Sequence, residues 1–154
     1  MMIARDVMQK DFHTLSPADT IAEAVKRFQT ASEAEKKKVF GLMVTDEDDH
    51  LVGILSMYDI LMFVQPKHAH ILGEMDDIDP SQLYDERLDR VKSVLVSDIM
   101  TPEVVTISPQ THLMVIADLM IKKHIRRLPV VDDQEVVGIV YVSDVFYHLL
   151  KQFV

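Results

Sequence analysis

One internal duplication restricts the fold of this chain more than any other feature. RDVMQKDFHTLSPADTI (5–21) is answered by SDIMTPEVVTISPQTHL (97–113) at an offset of 92 residues. Asp6 stands opposite Asp98, Met8 opposite Met100, and Thr14-Leu15-Ser16-Pro17 opposite Thr106-Ile107-Ser108-Pro109. GLMVTD (41–46) recurs as RLPVVD (127–132) at an offset of 86, and LVGILSMYDIL (51–61) as VVGIVYVSDVF (136–146) at 85. Three matched blocks in one order mark a structural unit used twice. The fall from 92 to 86 gives repeat one six extra residues before GLMVTD. Their expected place is TASEAEKKKVF, the end of a longer first helix.

Each repeat has the same coarse layout. A Ser-Pro turn leads into a helix whose apolar residues recur at helical spacing: Ile21, Ala24, Val25 and Phe28 in repeat one, and Leu113, Ile116, Ala117 and Met120 in repeat two. Thr20-x-x-Glu23 reads as a capping box. Two strands joined by a polar turn follow, then a second helix starting near Asp59 or Asp144. This is a β-α-β-β-α unit of the α/β class. A hairpin with helices alongside cannot cover its own sheet, so two such units are expected to pair.

The repeats occupy 1–66 and 96–154. The connector, 67–95, holds seven acidic residues against four basic ones. Its first half, with Gly73 and Pro80, reads as a loop. In its second half Tyr84, Leu88, Val91 and Leu95 fall on one helical face, predicting a short amphipathic helix capped by Ser81. A net charge of -9 argues against nucleic acid or an anionic membrane as the main partner. With no cysteine there are no disulfides or thiolate nucleophiles. No apolar run approaches the roughly 20 residues of a membrane span, and the N-terminus lacks a signal-peptide core. A cytoplasmic location is the expectation.

The doubled unit, with D-h-M-T-P…T-h-S-P opening repeat two and G-h-h-S/T-x-x-D closing repeat one, resembles a tandem pair of CBS (cystathionine-β-synthase) domains, a Bateman module. The resemblance covers about 4–66 and 96–150. It implies two repeats about a pseudo-twofold axis, two clefts between them, and homodimerisation into a disc. It also implies a regulatory role without catalysis, exerted on a separate effector protein. The implied ligand is an adenosine-containing compound: AMP, ADP, ATP or S-adenosylmethionine. In the family motif the aspartate accepts from the ribose hydroxyls and the serine or threonine three residues earlier contacts phosphate. The backbone around the h-P-V strand meets the base. Carried onto this sequence, the ligand-binding candidates in repeat one are Thr14, Ser56 and Asp59. In repeat two they are Thr106, Arg126, Arg127, Tyr141 and Asp144.

The chemistry of these residue types suits that role. Vicinal ribose hydroxyls are both donors, and one carboxylate can accept from both. A helix N-terminus presents unpaired N–H groups and partial positive charge to a phosphate. Ser56 and Asp59 also fit a plain capping arrangement, and the two roles are compatible. Repeat two departs from the pattern. Tyr141 replaces the serine, which leaves stacking on a base, donation to phosphate or blockage of the cleft open, and Ser143 is the alternative cap. Arg126 and Arg127 bring cations to the base-facing strand, where they fit a phosphate or a surface ion pair. His68-x-His70 with nearby carboxylates reads as a solvated loop, and Asp46-Glu47-Asp48-Asp49 as a hairpin turn lacking calcium-loop spacing. No metal site and no required cofactor are expected, and His13, His112, His124 and His148 form no catalytic order. A ligand-free dimerisation module and a divalent-cation sensor are the alternative functions.

Overall fold

The computed structural model describes residues 2–65 and 80–153. In chain order the elements are α1 (Ala4–Val7), β1 (Thr14–Leu15), α2 (Ile21–Glu35), β2 (Gly41–Thr45), β3 (Leu51–Ser56) and α3 (Met57–Val64). They continue with α4 (Pro80–Val91), α5 (Val96–Ile99), α6 (Leu113–Lys123), β4 (Arg127–Asp132), β5 (Glu135–Tyr141) and α7 (Val142–Leu150). The first half of the connector lies outside the described residues. No described helix is long and apolar enough to cross a membrane.

Among the described residues two units form, and they interleave the repeats. One holds the chain up to Phe12, Thr45–Leu51 and the chain from Glu103 onward; the other holds His13–Val44 and Val52–Pro102. The opening D-h-M segment of each repeat therefore belongs with the body of the other repeat. Backbone hydrogen bonds give the reason. The first N–H groups of a helix have no partner within it. In α1, the N–H of Ala4 donates to the Thr111 carbonyl and that of Arg5 to the Pro109 carbonyl. In α5, the N–H of Val96 donates to the Asp19 carbonyl and that of Ser97 to the Pro17 carbonyl. Each Ser-Pro turn thus caps a short helix arriving from the other repeat. The turns are held by their own side chains: the Ser16 N–H donates to Asp19 Oδ2 (2.8 Å) and the Ser108 N–H to Thr111 Oγ1 (3.0 Å).

The unit containing α2 builds a sheet in the order β1-β2-β3, with β1 parallel to β2. Leu15, Ile21, Ala24, Phe28, Leu42, Val44 and Leu55 form its core, joined by Val91 and Val96. Val25, expected on the buried face, is half exposed, because the buried stripe runs through Ile21, Ala24, Phe28 and Ala31 at steps of three and four. Thr20 caps α2 as expected: its hydroxyl accepts from the Glu23 N–H and donates to Glu23 Oε1, both at 3.2 Å. The helix of 15 residues against 11 for α6 accounts for four of the six extra residues. The turn into β2 holds the other two. The connector helix α4 departs from the expected boundaries and face. The helix starts at Pro80, before Ser81, so Ser81 is not its cap. Of the expected face only Val91 is buried; Leu88 is exposed, and Leu95 lies beyond the helix. Arg87 does the anchoring, donating from Nη2 to the Phe63 carbonyl (2.7 Å) with its guanidinium 5.3 Å from the Phe63 ring.

In the other unit β4 and β5 form an antiparallel hairpin with Arg127 opposite Tyr141 and Pro129 opposite Ile139. Its core is Ala4, Val7, Ile107, Leu113, Ile116, Met120, Leu128, Val130, Val140 and Val145. Asp133 and Gln134 both carry positive φ (51° and 70°), the backbone of a two-residue hairpin turn that matches strand twist.

The glycine of the V-G-I motif has a steric cause in both units. A Cβ at Gly53 would lie 2.7 Å from Met100 Sδ and 3.0 Å from the Thr101 carbonyl oxygen. A Cβ at Gly138 would lie 2.7 Å from Met8 Sδ and 3.1 Å from the Gln9 carbonyl oxygen. The sulfur can move, but the carbonyls are pinned: Thr101 pairs with Ile54 (2.8 and 2.9 Å) and Gln9 with Ile139 (2.8 and 3.0 Å). We predict that Gly53→Ala costs about 1–3 kcal/mol through overpacking, read as a lowered thermal midpoint; an unchanged midpoint would show that the segment yields freely.

Candidate functional site

The closing G-h-h-S-x-x-D motif of repeat one runs out of β3 into the first turn of α3. The helix begins at Met57, two residues before Asp59, because Ser56 is the N-cap. The Ser56 hydroxyl accepts from the Asp59 N–H (3.0 Å), and the Ser56 N–H donates to Asp59 Oδ2 (2.9 Å). Both halves of a capping box are present. The Met57 N–H donates to the Phe40 carbonyl (2.7 Å), tying the helix start to the entry of β2. Asp59 is half-buried, and among the described residues its Oδ1 accepts no hydrogen bond. The carboxylate is thus oriented through one oxygen and offers the other, beside a helix N-terminus that favours negative charge. Thr14 pairs with Met43 at the far edge of the same sheet, so β2 lies between it and β3.

Repeat two reproduces the frame and changes its occupants. The Val142 N–H donates to the Arg126 carbonyl (2.8 Å), matching the Met57–Phe40 contact. Tyr141 is the N-cap of α7, and its N–H donates to Asp144 Oδ2 at a longer 3.4 Å. Ser143 does not take over the cap; it is an exposed residue inside α7. Sequence reasoning passed over Gln9. Its Nε2 donates to Asp144 Oδ1 (3.3 Å) and Oδ2 (3.4 Å). The available signal was its register: at the offset of 92, Gln9 is the counterpart of Thr101 in D-h-M-T, and both follow a methionine packed over a glycine.

Arg127 opens β4 opposite Tyr141, half-buried, whereas Arg126 is exposed and meets the start of α7 through its carbonyl, which accepts from the Val142 N–H. Thr106 is exposed and precedes Ile107, which bridges Val130. The candidate residues therefore fall into two groups, each within one unit: Thr14, Ser56 and Asp59, and Thr106, Arg126, Arg127, Tyr141 and Asp144. Three of the histidines serve local structure. His112 caps α6 by accepting from the Met114 N–H (3.0 Å), His124 is that helix's left-handed C-cap, and His148 Nδ1 meets the Asp144 carbonyl oxygen (2.8 Å). Asp46 Oδ1 accepts from the N–H groups of Asp48 (2.9 Å) and His50 (3.0 Å), which is a hairpin-turn arrangement. The His68-x-His70 pair lies outside the described residues.

A family model described as the CBS domain matches residues 4–66 and 96–151. An uncharacterized protein of Methanocaldococcus jannaschii is 30% identical over 166 residues, covering 97% of this chain and 92% of the relative. The chain spans 18–59% of the length of the other curated relatives it matches. Among solved structures, CBSX2 of Arabidopsis thaliana in complex with AMP superimposes with a TM-score of 0.71 at 26% identity, covering 100% of both chains. The cytosolic domain of the Mg2+ channel MgtE in complex with ATP gives a TM-score of 0.68 at 25% identity, covering 94% of this chain and 47% of that one.

Proposed function

Because the chain belongs to the CBS domain family across both of its repeats, we propose that it is a regulatory module, not a catalyst, that senses an adenosine-containing nucleotide. The observation that carries this reading is the Ser56–Asp59 arrangement: a carboxylate fixed through Oδ2 by the Ser56 N–H, with Oδ1 unbonded among the described residues at the start of α3. That free oxygen suits ribose hydroxyls as donors, and the first turn of α3 with the Ser56 hydroxyl suits a phosphate. AMP in CBSX2 and ATP in MgtE support the same ligand class. Thr14, Thr106, Arg126, Arg127 and Tyr141 are proposed as further contacts, with Arg127 and Tyr141 side by side on the hairpin of the second site.

The module is proposed to act as a homodimer on an effector protein. The second helix of each repeat supports this by exposing large apolar side chains: Tyr58, Leu61 and Met62 on α3, and Val142, Phe146 and Tyr147 on α7. Ligand binding shifts dimer geometry only by its differential affinity for two arrangements. Thermal denaturation against AMP, ADP, ATP and S-adenosylmethionine tests the reading. At 100 times Kd a bound ligand contributes about 2.7 kcal/mol, a rise of roughly 5–10 °C for a chain of this size. No shift with any of the four would refute the proposal.

A further inference from the structure

We propose that Gln9 sets the affinity of the second site by holding Asp144 as an internal substitute for the ribose hydroxyls. This rests on the nucleotide-sensing reading above and adds a specificity-determining residue to it. The NH2 group of the Gln9 carboxamide lies astride the Asp144 carboxylate, its nitrogen 3.3 and 3.4 Å from the two oxygens, a contact shared between both. A pair of vicinal hydroxyls would donate to the same two oxygens. Gln9 is exposed, yet its backbone is not loose. Its N–H donates to the Ile139 carbonyl (2.8 Å) and its carbonyl accepts from the Ile139 N–H (3.0 Å). Ile139 and Tyr141 lie two apart on β5 and so face the same side, and Asp144 follows one turn into α7. The edge of β5 thus delivers the amide to the carboxylate.

The first site has the same frame without the latch. Thr101 takes the place of Gln9 and makes the same two backbone bonds, to Ile54. No side chain of the described residues reaches Asp59 Oδ1. A nucleotide entering the second site therefore competes with Gln9 for the Asp144 oxygens, whereas one entering the first meets no such side chain among the described residues. The two sites of one chain are graded, filling first at Asp59 and later at Asp144. Tyr141 is unchanged in every comparison below, so its own effect on the second site cancels.

The test is a reciprocal exchange in the full chain, with AMP as the probe and NMR of the 15N-labelled protein resolving the two sites. Gln9→Thr should tighten AMP binding at the Asp144 site roughly 3- to 10-fold, and Thr101→Gln should weaken it at the Asp59 site by a similar factor. Without ligand, Asp144→Asn should shift the Gln9 side-chain NH2 resonances, a readout that needs no nucleotide. Gln9 NH2 resonances indifferent to Asp144→Asn, or AMP affinity at the Asp144 site unmoved by Gln9→Thr, would overturn the latch. If AMP binds the Asp59 site but Gln9→Thr is silent, the latch alone fails. If neither site binds AMP in the wild type or in Gln9→Thr, the nucleotide-sensing reading falls and the affinity role of Gln9 with it.

Discussion

Replacing Asp59 with asparagine should lower affinity for AMP about 10-fold and the thermal midpoint of the free protein by only about 2–4 °C. The asymmetry follows from the two jobs of one side chain. Oδ2 accepts from the Ser56 N–H at 2.9 Å as part of the α3 cap, and an asparagine carbonyl keeps that bond in its weaker, neutral form, so the helix loses only about 1 kcal/mol. Oδ1 is the oxygen offered outward. Hydrogen bonds to a charged acceptor contribute about 1.5–3 kcal/mol against about 0.5–1.5 for a neutral one, and that difference is the predicted loss. Calorimetric titration checks it, and 2′,3′-dideoxy-AMP sharpens it. The dideoxy compound should bind the wild type more weakly than AMP does, and most of that difference should vanish in Asp59→Asn. Equal affinity of the wild type for both compounds would mean that Asp59 serves only as a cap.

The second large effect concerns the exchanged opening segments. Val7 is buried (4% exposed) in the cluster that includes Leu128, Val130, Val140 and Val145, although the sequence assigns it to repeat one. Val7→Asp places an unpaired charge there, at a cost of roughly 3–5 kcal/mol. Amide hydrogen exchange should then show the greatest loss of protection over Leu128–Val145. Losses concentrated in Leu42–Leu55, with Leu128–Val145 unaffected, would contradict the contacts described for α1.

Much of this was legible in the sequence because duplication carries positional information. The offsets of 92, 86 and 85 located the longer first helix, and Thr20 capped where its spacing said it should. The pairing of Ser56 with Asp59 was readable because capping is local chemistry, settled within four residues. What was not readable depended on partners distant in the chain. The exchange of α1 and α5 between repeats rests on the carbonyls of Pro109, Thr111, Pro17 and Asp19, which no local periodicity records. Val25 was misplaced because a helical stripe can be drawn through i+3 or i+4, and only the neighbouring strands choose between them. Gln9 escaped notice because its chemistry depends on a bridge to Ile139, 130 residues away. Asp144 first suggested a second ribose-holding carboxylate; its engagement by Gln9 gives it a side-chain partner that Asp59 lacks among the described residues.

The repeat glycines and methionines follow the same logic. Met8 and Met100 look like core filler in a chain with ten methionines, yet each lies over one glycine of the V-G-I motif. Gln9 and Thr101 follow these methionines directly and pair with Ile139 and Ile54, and Gln9 reaches Asp144 from there. The residues that grade the sites and the residues that define the fold are thus neighbours on the same short segments.

The central claim is that the Ser56–Asp59 arrangement is a nucleotide site as well as a helix cap, and titration of the 15N-labelled chain with AMP tests it most directly. The account predicts saturable shifts of the backbone amides of Ser56, Met57, Tyr58 and Asp59 at lower AMP concentration than those of Tyr141 through Asp144. Saturation with the Ser56–Asp59 amides unmoved, or no shifts at all, would contradict it.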